Sequence, residues 1–304
     1  MSDSSTTARG RRPARGASRG TPAWVPFAYL APAFILYGTF LLFPLVRAVQ
    51  FSFFEWDGLG ASTFVGFDNY VQIVQDERLR EAFGHAFVLI FFYSILPLAV
   101  GLMLAAILTR AQVRGLGFFR TLIFLPQVIA MVVVAVTWRQ IYAPDGPLNG
   151  LLRLVGLESW TRAWLGDYTF TLPAVGLIGS WVSLGLVTVL LMAGMSRVPK
   201  DLYEAARLDG AGPVREFFSI TLPSVRGEIT VALTLTIVAA LKTFDLIYVT
   251  TSGGPGTSTT VPSFEVYRRA FELGEVGAAT AVGAVLTLIV FAINFVVNRI
   301  GDRA

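Results

Sequence analysis

The residues able to do chemistry in this chain are few, and their spacing excludes most enzymes. Cysteine is absent, which removes disulfides, iron–sulfur centres and thiolate metal sites. The single histidine, His85, cannot hold a metal by itself, and at the edge of an apolar run it reads as an interfacial polar residue. A nucleotide-binding loop needs Gly-Lys followed by Ser or Thr, whereas the two lysines, Lys200 and Lys242, follow Pro199 and Leu241. The glycine-rich stretch Gly253–Gly256 has no lysine and reads as a turn. Lys242 and Asp245 remain, three residues apart near the end of an apolar run, where a helix would put them on one face. A structural ion pair is the first reading of them and a substrate contact the second. A proton relay, the mark of an ion-coupled secondary transporter, is the third.

The elements that must hold these residues are membrane spans. Hydrophobic residues make up 54% of the 304, charged residues only 14%, and the mean hydropathy is +0.64. Soluble proteins carry about 25% charge, so lipid must solvate much of this surface. Six stretches reach the roughly 20 apolar residues a spanning helix needs. They are Phe27–Phe51, His85–Thr109, Phe119–Ile141, Thr171–Met195, Ile229–Val249 and Ala278–Arg299. Pro32, Pro44, Pro97 and Pro126 fall inside them, which membrane helices tolerate where neighbours satisfy the freed backbone. Small residues at four-residue spacing (Gly101/Ala105, Gly179/Ser183, Ala279/Gly283) suit close helix approach.

Basic residues orient the spans. Fifteen lysines and arginines fall on one side: five in the tail, then Arg110, Arg114 and Arg120, then Arg197, Lys200, Arg207, Arg215 and Arg226, then Arg299 and Arg303. Six fall on the other: Arg78, Arg80, Arg153, Arg162, Arg268 and Arg269. The richer side is cytoplasmic, which puts both termini there. Residues 1–24, with Arg9, Arg11, Arg12, Arg15 and Arg19 among small polar residues, read as a disordered basic cytoplasmic tail, and residues 25–304 as the transmembrane domain. In the outer loop Ser52–Gly84, Tyr70, Ile73 and Val74 predict a short amphipathic helix, either a lid on the bundle or a contact for a soluble partner.

The longest polar segment between spans, 197–228, lies on the cytoplasmic side in this scheme. Pro199 and Asp201 suit the first turn of a helix, Leu202, Ala205, Ala206 and Leu208 give it an apolar side, and Gly210 can stop it. Pro213 starts a second helix with an apolar face of Val214, Phe217, Phe218 and Ile220. By spacing alone this is either a docking knob or an ordinary connection whose apolar side packs on the bundle.

The segment resembles the EAA loop of ABC-importer permeases: EAA, three residues, Gly, nine residues, Ile, one residue, Leu-Pro. Glu204, Ala205, Ala206, Gly210, Ile220, Leu222 and Pro223 supply that pattern without departure, and Asp209 and Ala211 match its fuller form. Leu241 to Thr259 is similar to the end of the fifth core helix and the following outer loop of maltose-transporter-like carbohydrate permeases, with Ser252 where many relatives have glycine. The resemblance implies an all-α integral membrane protein with the six-helix type I permease fold, multi-pass in the cell membrane and not itself an enzyme. It implies a second homologous permease, two cytoplasmic ATPase subunits that hold the ATP, an extracytoplasmic solute-binding protein and a sugar, polyol or glycerol-phosphate-like solute. Membrane lipid is its surroundings, no nucleic acid is involved, and it needs no cofactor or metal of its own. Glu204 is expected to make charged contacts with the ATPase, while Ala205, Ala206 and Gly210 shape the fit. Substrate contacts are expected on the two spans flanking the loop, where Ser180, Trp181, Ser183, Thr188, Thr230, Thr234, Thr236 and Thr243 are candidates. Any one of these hydroxyls can instead bond back to its own helix. The rival reading, an ion-coupled secondary sugar transporter, calls for several buried carboxylates, which these spans lack.

Overall fold

The computed structural model describes residues 24–110 and 115–303; the basic tail and Arg114 lie outside the described residues. The chain divides into two compact units, Met1–Arg47 and Ala48–Ala304. The first holds the helix Val25–Tyr37, with Pro32 inside it, and the π-helical turn Gly38–Leu42. Within the span Phe27–Phe51, none of the most apolar window is buried. A helix that is apolar all round and unburied is a surface for lipid or for another subunit.

In the second unit the helix Thr171–Met195 is the hub, with 61% of its apolar window buried. Val175, Ile178 and Val182 pack with Leu89, Tyr93, Val134 and Ala135 in one cluster, while Val187, Leu191 and Met195 pack with Ala105 and Val225 in another. Glycines let these neighbours come close. A Cβ on Gly179 would run into the ring of Tyr93, and one on Gly185 would sit 2.3 Å from the carbonyl oxygen of Ile123 and 2.8 Å from Cα of Phe124. Gly185→Val should therefore push two backbones apart and cost about 1–3 kcal/mol. The measurement is the thermal unfolding midpoint of the purified protein, and an unchanged midpoint would count against this packing.

Four helices are long and apolar enough to cross a membrane, and up to six if each of two bent pairs is one span. Phe27–Phe51 and Thr171–Met195 coincide with the expected stretches. The second span is longer than expected, running Glu77–Thr109 over 33 residues. At 1.5 Å per residue that is about 50 Å, so its charged first turns stand clear of a hydrocarbon core of about 30 Å. The last helix is Val276–Arg303.

Two expected spans are not single straight helices. Phe119–Ile141 is the pair Leu116–Val128 and Met131–Ile141, bent by 97°. Pro126 removes one helical donor, and Ile129 (ψ 135°) and Ala130 (ψ 132°) then turn extended. Ile229–Val249 stops at Leu241, and helix resumes at Asp245–Thr250. The hydroxyl of Ser263 donates to the carbonyl of Thr243, one of the acceptors this break releases.

The outer loop carries a small departure from the all-α expectation, a two-stranded antiparallel ribbon pairing Phe54 with Phe64 and Glu55 with Thr63. Its amphipathic helix is Asp68–Gln75. Ile73 is buried in a cluster with Leu79, Ala281 and Val282, and Tyr70 packs beside them, which favours the lid; Val74 is exposed instead.

Candidate functional site

The polar segment forms two short helices joined through glycines. The first, Lys200–Leu208, follows Pro199 and ends in a Schellman stop. Gly210 takes φ 76°, its N–H donates to the carbonyl of Arg207 (3.0 Å), and that of Ala211 donates to the carbonyl of Ala206 (2.9 Å). The chain then turns at Gly212 into Pro213–Glu216, continues through a π-helical turn Phe217–Thr221, and ends at Leu222–Ser224 with Pro223 inside.

Electrostatics tie the two arms together. Arg207 donates through Nε to Oε1 of Glu216 at 2.9 Å, and that hydrogen bond, then the charge of Glu216, raises the guanidinium pKa further above its ordinary value. Glu216 is buried, whereas the Arg207 side chain is largely exposed. Tyr203 and Thr221 share a hydroxyl–hydroxyl bond at 3.0 Å. At the base of the segment Arg197 meets Glu228 at 3.5 Å.

The apolar side of Lys200–Leu208 does not pack inward, because no residue of this helix is buried. Leu208 is 90% exposed and Leu202 is 49% exposed. Glu204, Ala205, Asp209 and Gly210 are exposed beside them, with Ala206 and Ala211 half-buried. A hollow of about 430 Å³ opens alongside, lined by Thr109, Met195, Lys200, Tyr203, Glu204 and Arg207. In the second arm Val214 and Phe218 are exposed, while Phe217 packs inward and Ile220, Leu222 and Pro223 are half-buried. Arranged this way, the segment can present a low apolar strip and a free carboxylate to another protein.

Most hydroxyls on the flanking spans are occupied within the chain. Ser180 donates to the carbonyl of Phe92, Thr188 to Leu184, Thr230 to Arg226 and Thr236 to Ala232. Thr243 pairs with the hydroxyl of Tyr93 at 3.1 Å. The hydroxyl of Thr234 is buried without a partner. Ser183 is buried, and half-exposed Trp181 meets Trp138 edge to face at 5.6 Å.

Lys242 and Asp245 do not form the expected pair. The helix ends between them, Phe244 sits at φ −130°, ψ −58°, and no salt bridge joins the two among the described residues. Both are exposed and line a cavity of about 340 Å³ with Tyr93 and Thr243. His85 bonds through Nδ1 to the carbonyl of Thr260 at 2.8 Å. The Gly253–Gly256 stretch is a turn, and Ser252 just before it takes φ 50°, the left-handed region where glycine is at ease.

Sequence reasoning missed an ion-pair cluster. The buried carboxylate of Glu265 accepts from Arg78 at 2.7 Å and Arg268 at 3.3 Å, with Arg269 at 3.9 Å. Arg269 also reaches Asp76 at 2.5 Å and Glu275 at 2.9 Å. Only the local spacing of Glu265 with Arg268 and Arg269 was readable; the links to Arg78 and Asp76 cross 187 and 193 residues.

Comparisons with known proteins identify the family. Residues 98–303 match the family described as binding-protein-dependent transport system inner membrane component. The chain is 36% identical over 273 residues to the probable ABC transporter permease protein YurN of Bacillus subtilis, covering 89% of this chain and 93% of that one. It is 35% identical over 310 residues to the diacetylchitobiose uptake system permease protein NgcF of Streptomyces coelicolor, covering 96% and 87%. A crystal structure of the bacterial alginate ABC transporter, in complex with alginate pentasaccharide-bound periplasmic protein, superposes with TM-score 0.78 at 25% identity, over 92% of this chain and 94% of that one. This chain belongs to the binding-protein-dependent inner-membrane components: it is an ABC transporter permease, embedded in the membrane, and a transport component rather than an enzyme.

Proposed function

We propose that the chain lines the translocation pathway of a carbohydrate importer and receives the work of ATP hydrolysis through residues 197–228. The observation that carries this reading is the helix Lys200–Leu208, amphipathic yet with no buried residue, held at a fixed angle by its glycine stop and the Arg207–Glu216 pair. In this reading six spans cross the membrane, and both termini and the knob are cytoplasmic. The third span is the bent pair Leu116–Val128 and Met131–Ile141, and the fifth is Arg226–Leu241 without the Pro213–Ser224 arm that precedes it. Two ATPase subunits hold the nucleotide, and a second permease completes the pathway. A solute-binding protein delivers the cargo on the outer side. Glu204 makes the charged contact, Ala205 and Ala206 keep the strip low, and Asp209, Gly210, Ala211, Ile220, Leu222 and Pro223 hold its shape. Nucleotide favours one of two states of the bundle by holding the knobs together. Of the flanking-span candidates Trp181 is the one that faces the solute, since Ser183 and the hydroxyl of Thr234 are buried and Ser180, Thr236 and Thr243 are engaged within the chain.

Support for a carbohydrate cargo comes from the diacetylchitobiose system of one relative and the alginate transporter of similar fold. The experiment is uptake of labelled diacetylchitobiose and labelled alginate oligosaccharide, a neutral and an acidic carbohydrate, by proteoliposomes holding the full complex and binding protein, with and without ATP, scored on whichever is taken up. Uptake is expected with ATP only, and Glu204→Lys should reduce it at least tenfold while the chain stays in the membrane. Uptake driven by an ion gradient without ATP would favour the secondary transporter, and normal uptake by Glu204→Lys would remove the coupling role.

A further inference from the structure

A cavity of about 510 Å³ lies apart from both the knob and the flanking-span hydroxyls. Arg78, Arg139, Arg268, Tyr248, Ser252 and Glu272 contribute to its wall. They come from chain segments distant in sequence: the start of the Glu77–Ile90 helix, the end of Met131–Ile141, the short helix Asp245–Thr250 and the turn Arg268–Glu272. In the orientation proposed above, all of them are at the outer side.

The arginines are arranged to leave donors over. Arg78 and Arg268 both spend Nε on the carboxylate of Glu265, which is fully buried behind them, and their terminal Nη groups have no acceptor among the described residues. Arg139 has no carboxylate partner among the described residues; its Nη1 donates to the carbonyl of Val249 at 3.2 Å. Against these three cations the wall sets one exposed carboxylate, Glu272, and Glu265 offsets a second charge from behind. A guanidinium fork matches the two oxygens of a carboxylate or phosphate. Tyr248, stacked on Phe244 with centroids 5.3 Å apart and 41% exposed, offers a ring face to a sugar. Glu272 and the hydroxyl of Ser252 can bond to sugar hydroxyls. The volume falls within the roughly 300–1,000 Å³ of small-molecule sites.

We infer that this cavity is an outer binding site for a polyhydroxylated solute bearing a carboxylate or phosphate, in which Arg139 is the free cation and Glu265 orients Arg78 and Arg268. The inference rests on the importer reading for which side faces the solute, and it deepens that reading by naming the charge of the cargo.

The test is saturation-transfer NMR on the complete transporter in nanodiscs, with glucuronate, glycerol phosphate and glucose as probes. Glucuronate, glycerol phosphate or both should show transfer, glucose at least fivefold less. Arg139→Gln should weaken the anion signal at least fivefold, with partial recovery in Arg139→Lys. Arg139 is exposed and bonds only to a carbonyl, so both variants should fold. Transfer to one anion alone identifies which group the site takes. Equal signals for glucose and the anions, an anion signal unmoved in Arg139→Gln, or no anion signal at all would overturn the inference. ATP-driven uptake by the unsubstituted complex is scored separately, so failure of the cavity and failure of the importer reading give different results.

Discussion

Exchanging Gly210 for alanine is expected to reduce ATP-driven uptake by about an order of magnitude, with the chain still inserted and still paired with its partner permease. The cause is backbone conformation and not bulk. A Cβ at Gly210 meets nothing within 4 Å, yet the residue sits at φ 76°. An L-residue there costs roughly 1–2 kcal/mol, which is about a tenfold loss in the population of the native helix stop. Two hydrogen bonds, Gly210 to Arg207 and Ala211 to Ala206, depend on that stop, and they aim the second arm. Asparagine tolerates the left-handed region, so Gly210→Asn should recover much of the uptake. Equal uptake by the alanine variant and the parent would detach the knob's shape from transport.

The second large effect is expected on stability. Glu265→Ala should lower the thermal unfolding midpoint of the purified protein by on the order of 10 °C, from a loss of about 3–5 kcal/mol. Glu265 has a fully buried side chain, and Arg269 beside it is only 9% exposed. Removing the carboxylate leaves Arg269 desolvated and takes the only carboxylate partner of Arg78 and Arg268 among the described residues. Glu265→Gln keeps an acceptor and should lose less. Asp76→Ala should lose less again, because Arg269 retains Glu275 and Asp76 is itself 32% exposed. Unfolding of Glu265→Ala at the parental temperature would mean that the cluster contributes nothing.

What was legible in the sequence was whatever is written in local order. The glycine stop at Gly210, the proline starts and the apolar length of Thr171–Met195 are short-range signals, and the structure realises each of them. The helix break at Lys242–Phe244 was hidden because no glycine or proline marks it and the apolar run continues on both sides. What permits it is a hydroxyl from Ser263, twenty residues on. The bend after Pro126 was half legible: the proline was visible, but the two extended residues that follow depend on packing. The cluster around Glu265 and the arginine cavity were invisible because their members meet only after the chain has folded. Physical spacing also left the knob undecided between docking and inward packing, and it is the exposure of Leu202 and Leu208 that speaks against inward packing.

The bare leucines of Lys200–Leu208 carry a cost for any copy made in excess. In the proposed topology such a chain shows Leu208, 90% exposed, to the cytoplasm, together with Val214 and Phe218. Sticky side chains of that kind are what chaperones and housekeeping proteases recognise, so orphan copies should be short-lived and those seated on an ATPase long-lived. The strip would thus act as a tally of assembly, keeping the number of surviving permeases matched to the number of motors available.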